Sequence, residues 1–98
     1  MTREEAQKLV EAELERVKDK YRPVDCVVLE ESTIEKPWGW VFFYQNKKYL
    51  HTGDFRQMLG GNAPYIVNKI TGQLSVTGTV HNIEHCIKEY ESTLSHNT

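Results

Sequence analysis

The residues with the clearest chemical potential are His81 and His85, which lie four positions apart. In a helix this spacing places both side chains on one face, where they could ligate one metal ion with a third ligand from His51 or Asp54. A zinc-protease helix needs glutamate directly after the first histidine, and Asn82 stands there instead. Because this spacing is common in ordinary helices, we interpret the pair as exposed histidines near a helix start and predict no metal site.

Cys26 and Cys86 are the candidate nucleophiles. Cys86 could form a thiol–imidazole dyad with His51 or His81. However, Cys86 falls beside the apolar face of a predicted helix and Cys26 begins a predicted buried strand, and buried free cysteines are inert. The chain also has no glycine-flanked nucleophile motif. We therefore predict that the protein is not an enzyme, and that both cysteines remain free thiols in a reducing compartment.

A third candidate site is the pair Gly60-Gly61 followed by Asn62, which superficially resembles a phosphate-binding loop. Such a loop follows a strand and precedes a helix whose N-terminus faces the anion, whereas here a strand-like segment follows. We interpret Gly60, Gly61 and Asn62 as adopting backbone angles that other residues resist, within a structured loop. A helical turn is predicted in this loop at Phe55–Leu59. No cofactor is predicted.

The composition bounds the class of protein. The 98 residues, 39% of them hydrophobic, predict a single domain (1–98) with one modest core. Twelve basic against fourteen acidic residues give a net charge of −2, and without a basic stripe we predict no nucleic-acid partner. No apolar run has the length of a membrane span, and residues 1–5 are polar rather than signal-like. We therefore expect a cytoplasmic protein that does not bind membranes.

The hydrophobic periodicity predicts an α+β fold in which an antiparallel meander of four to five strands lies between two helices in the chain, with the C-terminal helix packed on the sheet. Thr2 and Glu5 have the spacing of a capping box at the start of the first helix. The predicted helices cover 3–21 and 81–94, with the lysines and glutamates of the first helix on a solvated face. The predicted strands cover 24–34, 38–44, 48–52, 65–67 and 73–77, with turns over 35–37 and 68–72. Leu74 and Val76 of the last strand are predicted to face inward.

The aromatic run Trp38–Tyr44 is the densest hydrophobic segment. Its alternation places the even-numbered residues on one face and the odd-numbered residues on the other, so we predict a central strand with packing on both faces. Most of the run is expected to be core. Trp38, at the mouth of the strand, could instead be exposed and act as a protein-binding residue.

Several segments resemble the YrhB-like, immunity protein 35 family of bacteria. The resemblance covers roughly residues 38–91, and its most specific part is Gly-Asn-Ala-Pro before an apolar strand. It implies a small cytoplasmic α+β protein without a catalytic motif. Many members are encoded beside toxins that they neutralise by direct binding, and the YrhB branch is described as a heat-stable chaperone. The segments that carry the resemblance are 40–44, 49–54, 59–67, 71–72 and 78–79.

The resemblance implies an immunity protein that binds a cognate toxin in the cytoplasm, as a monomer or weak homodimer. The alternative is a general chaperone that holds unfolded clients. We hypothesise a toxin-facing patch of acidic, aromatic and loop residues, because acidic groups would complement a toxin whose substrate is anionic. The other interpretation is a solvated rim and a structural loop. The hypothesised patch comprises Glu30, Glu31, Glu35, Trp38, Asp54, Phe55, Arg56 and Asn62.

Overall fold

The computed structural model describes residues 1–18, 25–53, 63–78 and 82–96. It confirms the α+β class. A 3-10 turn, Glu30–Ser32, lies between the first two strands. The helices are α1 (Arg3–Lys18), α2 (Lys47–Thr52) and α3 (Ile83–His96), and the strands are β1 (Cys26–Val28), β2 (Ile34–Lys36), β3 (Gly39–Phe42), β4 (Tyr44–Asn46), β5 (Tyr65–Asn68) and β6 (Leu74–Val76).

The strands form two antiparallel sheets. The larger sheet has the order β2-β3-β5-β6, and the smaller one pairs β1 with β4. In the larger sheet Phe42 of β3 lies opposite Tyr65 of β5, and in the smaller sheet Val28 lies opposite Tyr44. No helix among the described residues is both long enough and apolar enough to cross a bilayer.

Helix α1 packs on one side of the sheets and forms the larger hydrophobic cluster. The helix begins with the predicted capping box, in which the Glu5 amide donates to Thr2 Oγ1 at 3.2 Å and the Thr2 amide donates to Glu5 Oε1 at 2.8 Å. Its buried residues recur at helical spacing and meet side chains from four strands. The buried members of this cluster are Ala6, Val10, Leu14, Val28, Trp40, Phe42, Tyr44, Tyr65 and Val67.

Helix α3 covers the opposite face of the larger sheet. Ile87 of α3 is buried with Val41 and Ile66, and Trp38 and Tyr90 pack against them. Strand β3 therefore has Trp40 and Phe42 in one cluster and Val41 in the other, which confirms the predicted two-sided packing. Trp38 departs from the predicted alternation because it lies in the turn before β3, on the side of α3.

The single strand predicted over 24–34 is wrong. The chain makes β1, then the 3-10 turn, then β2, and the two strands belong to different sheets. The predicted turn over 35–37 is also displaced, because Glu35 and Lys36 belong to β2. The turn is instead formed by Pro37 and Trp38, with Lys36 and Gly39 as opposed residues of the hairpin.

The segment after β3 also differs from the prediction. The predicted strand over 38–44 is interrupted at Phe43, whose carbonyl accepts a hydrogen bond from the Leu29 amide at 2.8 Å, and the chain moves from the larger sheet to the smaller one. The predicted strand over 48–52 is wrong, since this segment is α2. Asn46 caps α2 by accepting from the Lys48 amide at 3.0 Å, and Gly53 ends it with φ of 70°.

The β5–β6 connection agrees with the predicted turn over 68–72. Gly72 has φ of 72°, and the Asn68 Oδ1 atom accepts from the amides of Ile70 and Thr71. In β6, Leu74 packs against the α1-side cluster as predicted, but Val76 is 59% exposed rather than inward-facing. The helical turn predicted at 55–59 lies outside the described residues.

Candidate partner-binding surface

The most distinctive surface feature is a groove bounded by α1, β1, the 3-10 turn and α2. Its volume is about 450 Å³. We call it the acidic groove, because carboxylates flank its apolar floor and no lysine or arginine stands among the lining residues that the structure describes. The lining residues are Gln7, Glu11, Val27, Val28, Leu29, Glu30, Glu31, Ser32 and Leu50.

The floor of the acidic groove is open to contact. Val27 is 38% exposed and Leu50 is 47% exposed. Val27 alternates with Val28, which is buried in the α1-side cluster, so the pleat of β1 directs Val27 away from that core. Leu50 lies on α2, which buries none of its residues. Two large apolar side chains from separate elements are thus presented together.

Hydrogen bonds from α1 hold the acidic rim in place. Gln7 Nε2 donates to Glu30 Oε1 at 2.8 Å and lies 3.5 Å from Glu11 Oε2. Arg3 Nη2 donates to the backbone carbonyl of Glu30 at 2.6 Å. The amide of Gln7 therefore holds the two carboxylates close together, and both contacts with Glu30 fix the 3-10 turn against the helix.

A second depression, of about 410 Å³, continues the acidic groove along α1. Gln7, Glu11 and Glu30 line both depressions. The second one also contains Arg3, Glu4 and Lys8, so its charge is mixed. Among the described residues, the excess of negative charge is thus larger on the side that faces Val27 and Leu50.

Of the hypothesised patch, Glu30, Glu31 and Glu35 are exposed on the side of α1. Glu30 and Glu31 line the acidic groove. Glu35 lies opposite Trp40 in the β2–β3 register, and directly opposed residues share a face of the sheet, which here is the α1 side. Glu35 does not line the groove, but it shares that side of the molecule.

Trp38 lies apart from these carboxylates. It is half-buried against α3, where its ring centroid is 4.6 Å from that of Tyr90 and its Nε1 atom donates to Glu91 Oε2 at 3.0 Å. The structure therefore does not place Trp38 in one surface with Glu30 and Glu31. The remaining four residues of the hypothesised patch, Asp54, Phe55, Arg56 and Asn62, lie outside the described residues.

A model of immunity protein 35 matches residues 4–90. The chain belongs to the immunity protein 35 family. It is also similar to the uncharacterized protein YrhB of Escherichia coli strain K12, with 38% identity over 53 residues. That match covers 54% of this chain and 56% of YrhB, so the chain spans little more than half the length of this relative. No solved structure gives a significant match.

In this immunity protein 35 family member, the Cys86 thiol is buried and the His85 imidazole is exposed. Cys86 is 8% exposed, and its Sγ atom lies 3.8 Å from the Gly78 carbonyl oxygen. His85 Nε2 contacts Glu89 Oε1 at 2.8 Å on the exposed surface of α3. Within the described ranges, no group of three histidine, cysteine or acidic side chains is arranged to hold a metal ion. His81 lies outside those ranges.

Sequence reasoning missed three residues of the acidic groove. Val27 was interpreted as part of a strand buried on both faces, and Leu50 as part of a third strand. Glu11 was assigned to the solvated face of α1. The sequence signal for a helix around Leu50 was present at the two ends of the segment, in the capping residue Asn46 and in Gly53. No such signal exists for Glu11, because only tertiary structure brings it to the 3-10 turn.

Proposed function

We propose that this chain is an immunity protein that binds and neutralises a cognate bacterial toxin acting in the cytoplasm. The single observation that carries the proposal is the family match over residues 4–90, which extends from the start of α1 into α3. The match therefore covers both helical layers and both sheets rather than one local motif.

Neutralisation would proceed by direct binding rather than by chemistry. Inhibitory interfaces of this kind have a desolvated apolar centre surrounded by polar residues. The acidic groove offers such an arrangement, with Val27 and Leu50 at its centre and Glu30 and Glu31 at its edge. A toxin that acts on an anionic substrate, such as a nuclease or a nucleotide-modifying enzyme, carries a cationic cleft that these carboxylates would complement.

The cytoplasmic assignment is part of the same proposal. An immunity protein must share a compartment with its toxin. Neither Cys26 nor Cys86 is in a disulfide bond, which is the usual state of cysteine in a reducing compartment. We propose that the protein acts as a monomer or weak homodimer and forms a stoichiometric complex with its toxin.

The second candidate function is a general chaperone that holds unfolded clients. The observation that favours it is the exposure of large apolar side chains on several elements, including Ile70 at 88% and Val76 at 59%. Exposed apolar surface is what a holding chaperone requires, although scattered single residues are also normal on soluble proteins.

One set of experiments separates these functions. The proposal expects the neighbouring gene to encode the toxin, so that neighbour is expressed with and without the chain, growth is measured, and the two proteins are co-purified. The immunity proposal expects protection and a complex of fixed stoichiometry. It fails if the chain neither binds nor protects, and the chaperone proposal gains support if the chain also suppresses aggregation of unrelated heat-denatured proteins.

A further inference from the structure

We propose that the acidic groove receives a basic segment of the toxin that carries an apolar side chain at its centre. The apolar side chain contacts Val27 and Leu50, and lysine or arginine side chains on either side of it pair with Glu11, Glu30 and Glu31. This inference rests on the proposed function and adds the site and the chemistry of the partner surface.

The first support is the local imbalance of charge. The whole chain has 12 basic and 14 acidic residues, which is close to balanced. The described residues that line the acidic groove, in contrast, include three carboxylates and no basic side chain. The nearly balanced composition does not by itself produce this local excess of negative charge. A partner that is electrostatically complementary must present positive charge to the groove.

The second support is that no described cationic side chain neutralises these carboxylates. In the part of the chain that the structure describes, Glu11, Glu30 and Glu31 form no ion pair with a lysine, arginine or histidine. Glu11 and Glu30 instead lie on either side of the neutral amide of Gln7, at 3.5 and 2.8 Å. Both carboxylates can therefore pair with a cation that a partner brings into the groove.

The third support is the apolar floor between the charges. Val27 and Leu50 are 38% and 47% exposed and line one concave surface. Ile70 is far more exposed, at 88%, but it lies alone in the β5–β6 turn and lines none of the grooves described above. The acidic groove thus combines concave shape, apolar area and a charged rim, which is the arrangement typical of a binding hot spot.

The same charges argue against a second copy of this chain as the occupant. A two-fold symmetric interface centred on the acidic groove would place the same patch on both subunits. Glu11, Glu30 and Glu31 of one subunit would then face the same three residues of the other. Like charges across an interface are strongly unfavourable, so the groove is suited to a partner of opposite sign.

The test uses a catalytically inactivated form of the toxin that the proposed function expects the neighbouring gene to encode, with binding followed by surface plasmon resonance. The triple variant E11K/E30K/E31K is expected to associate at least about tenfold more slowly than the wild type at low salt. Its matched control is E15K/E84K/E89K, which makes the same change in net charge at exposed positions outside the groove. The control is expected to slow association by much less.

The apolar contribution is tested separately with V27A/L50A, which is expected to weaken binding about tenfold or more, mainly through faster dissociation. Ile70→Ala is the matched control, since it removes a more exposed apolar side chain outside the groove. Thermal unfolding followed by circular dichroism verifies that all four variants remain folded.

The outcomes distinguish this inference from the proposed function. If the wild type does not bind the toxin, the proposed function fails and the inference fails with it. If the wild type binds but the groove variants bind equally well, or if both control variants are equally impaired, only the inference fails. It is also overturned if V27A/L50A abolishes self-association in analytical ultracentrifugation while leaving toxin binding unchanged, because the occupant would then be a second copy.

Discussion

The indole nitrogen of Trp38 donates a hydrogen bond to Glu91 Oε2 at 3.0 Å, and this contact joins the β2–β3 turn to α3. The indole ring also packs against Tyr90, with ring centroids 4.6 Å apart. Packing within the fold thus accounts for the half-buried state of Trp38. A direct contact between Trp38 and a partner stays a prediction.

The Trp38–Glu91 hydrogen bond is expected to contribute measurably to stability. Trp38→Phe keeps an aromatic ring but removes the donor, and Glu91→Ala removes the acceptor. Each substitution should lower the free energy of unfolding in urea by about 1 kcal/mol or more. The double variant should be less destabilised than the sum of the two, by about 0.5–1 kcal/mol. Strictly additive effects would show that the contact contributes nothing.

Gly39 is expected to tolerate no side chain. A Cβ atom at this position would lie 2.0 Å from the Val67 carbonyl oxygen, which is part of the neighbouring strand and has no room to move. Gly39→Ala should therefore destabilise the protein by about 3 kcal/mol. Gly78→Ala is the control, since a Cβ there meets no atom of the described residues within 4 Å, and should change stability little. Equal effects in thermal unfolding would contradict this account.

Asn68 is expected to be important for the β5–β6 turn. It is 7% exposed, and its Oδ1 atom accepts from the Ile70 amide at 2.9 Å and the Thr71 amide at 3.0 Å, while Nδ2 donates to the Tyr90 hydroxyl at 3.1 Å. Asn68→Ala leaves all three groups without this partner and should cost about 2–3 kcal/mol in urea unfolding. Tyr90→Phe removes only the last contact and should cost about 1 kcal/mol. A cost for Tyr90→Phe as large as that for Asn68→Ala would contradict the assignment to the turn.

The ion pair between Lys18 and Asp25 should make stability depend on pH. The hydrogen bond from Lys18 and its positive charge lower the pKa of Asp25 below its ordinary value of 3.8. Because the folded-state pKa is lowered, the stabilisation is present above 3.8 and is lost as the pH falls through the folded-state value. Lys18→Ala should therefore reduce stability at neutral pH but not at a pH well below 3.8.

The control for the Lys18 experiment is Lys88→Ala, which removes a lysine from the exposed surface of α3. Its effect on the free energy of unfolding should not follow the titration of Asp25. The midpoint of the Asp25 carboxyl carbon in an NMR titration should rise toward 3.8 in Lys18→Ala. An unchanged midpoint would show that Lys18 does not perturb Asp25 in solution.

The sequence predicts β3 well because the physical requirement is local. Apolar residues at consecutive positions, such as Trp40, Val41 and Phe42, need packing on both faces of a strand, and the helices α1 and α3 provide it. Trp38 breaks the pattern because the turn with Pro37 precedes the strand, so alternation no longer determines the direction of its side chain.

Helix α2 was missed because a helix of six residues is too short to show periodicity. Tyr49 and Leu50 are as compatible with a strand as with a helix when considered alone. The decisive residues are at the ends, where Asn46 caps the first turn and Gly53 adopts the left-handed conformation.

The acidic groove was predicted only in part, because its residues are not all close in sequence. Glu30 and Glu31 are adjacent in sequence, whereas Glu11 reaches them only through the tertiary contact of Gln7.

Helix α1 carries two adjacent rows of side chains that have different roles. Ala6 and Val10 form a buried row that holds the sheet, and Gln7 and Glu11 form the adjacent row that borders the acidic groove. Under the proposed function, substitutions in the outer row would therefore change which toxin is recognised while the buried row stays unchanged. The specificity of binding would then change while the hydrophobic core under α1 is retained.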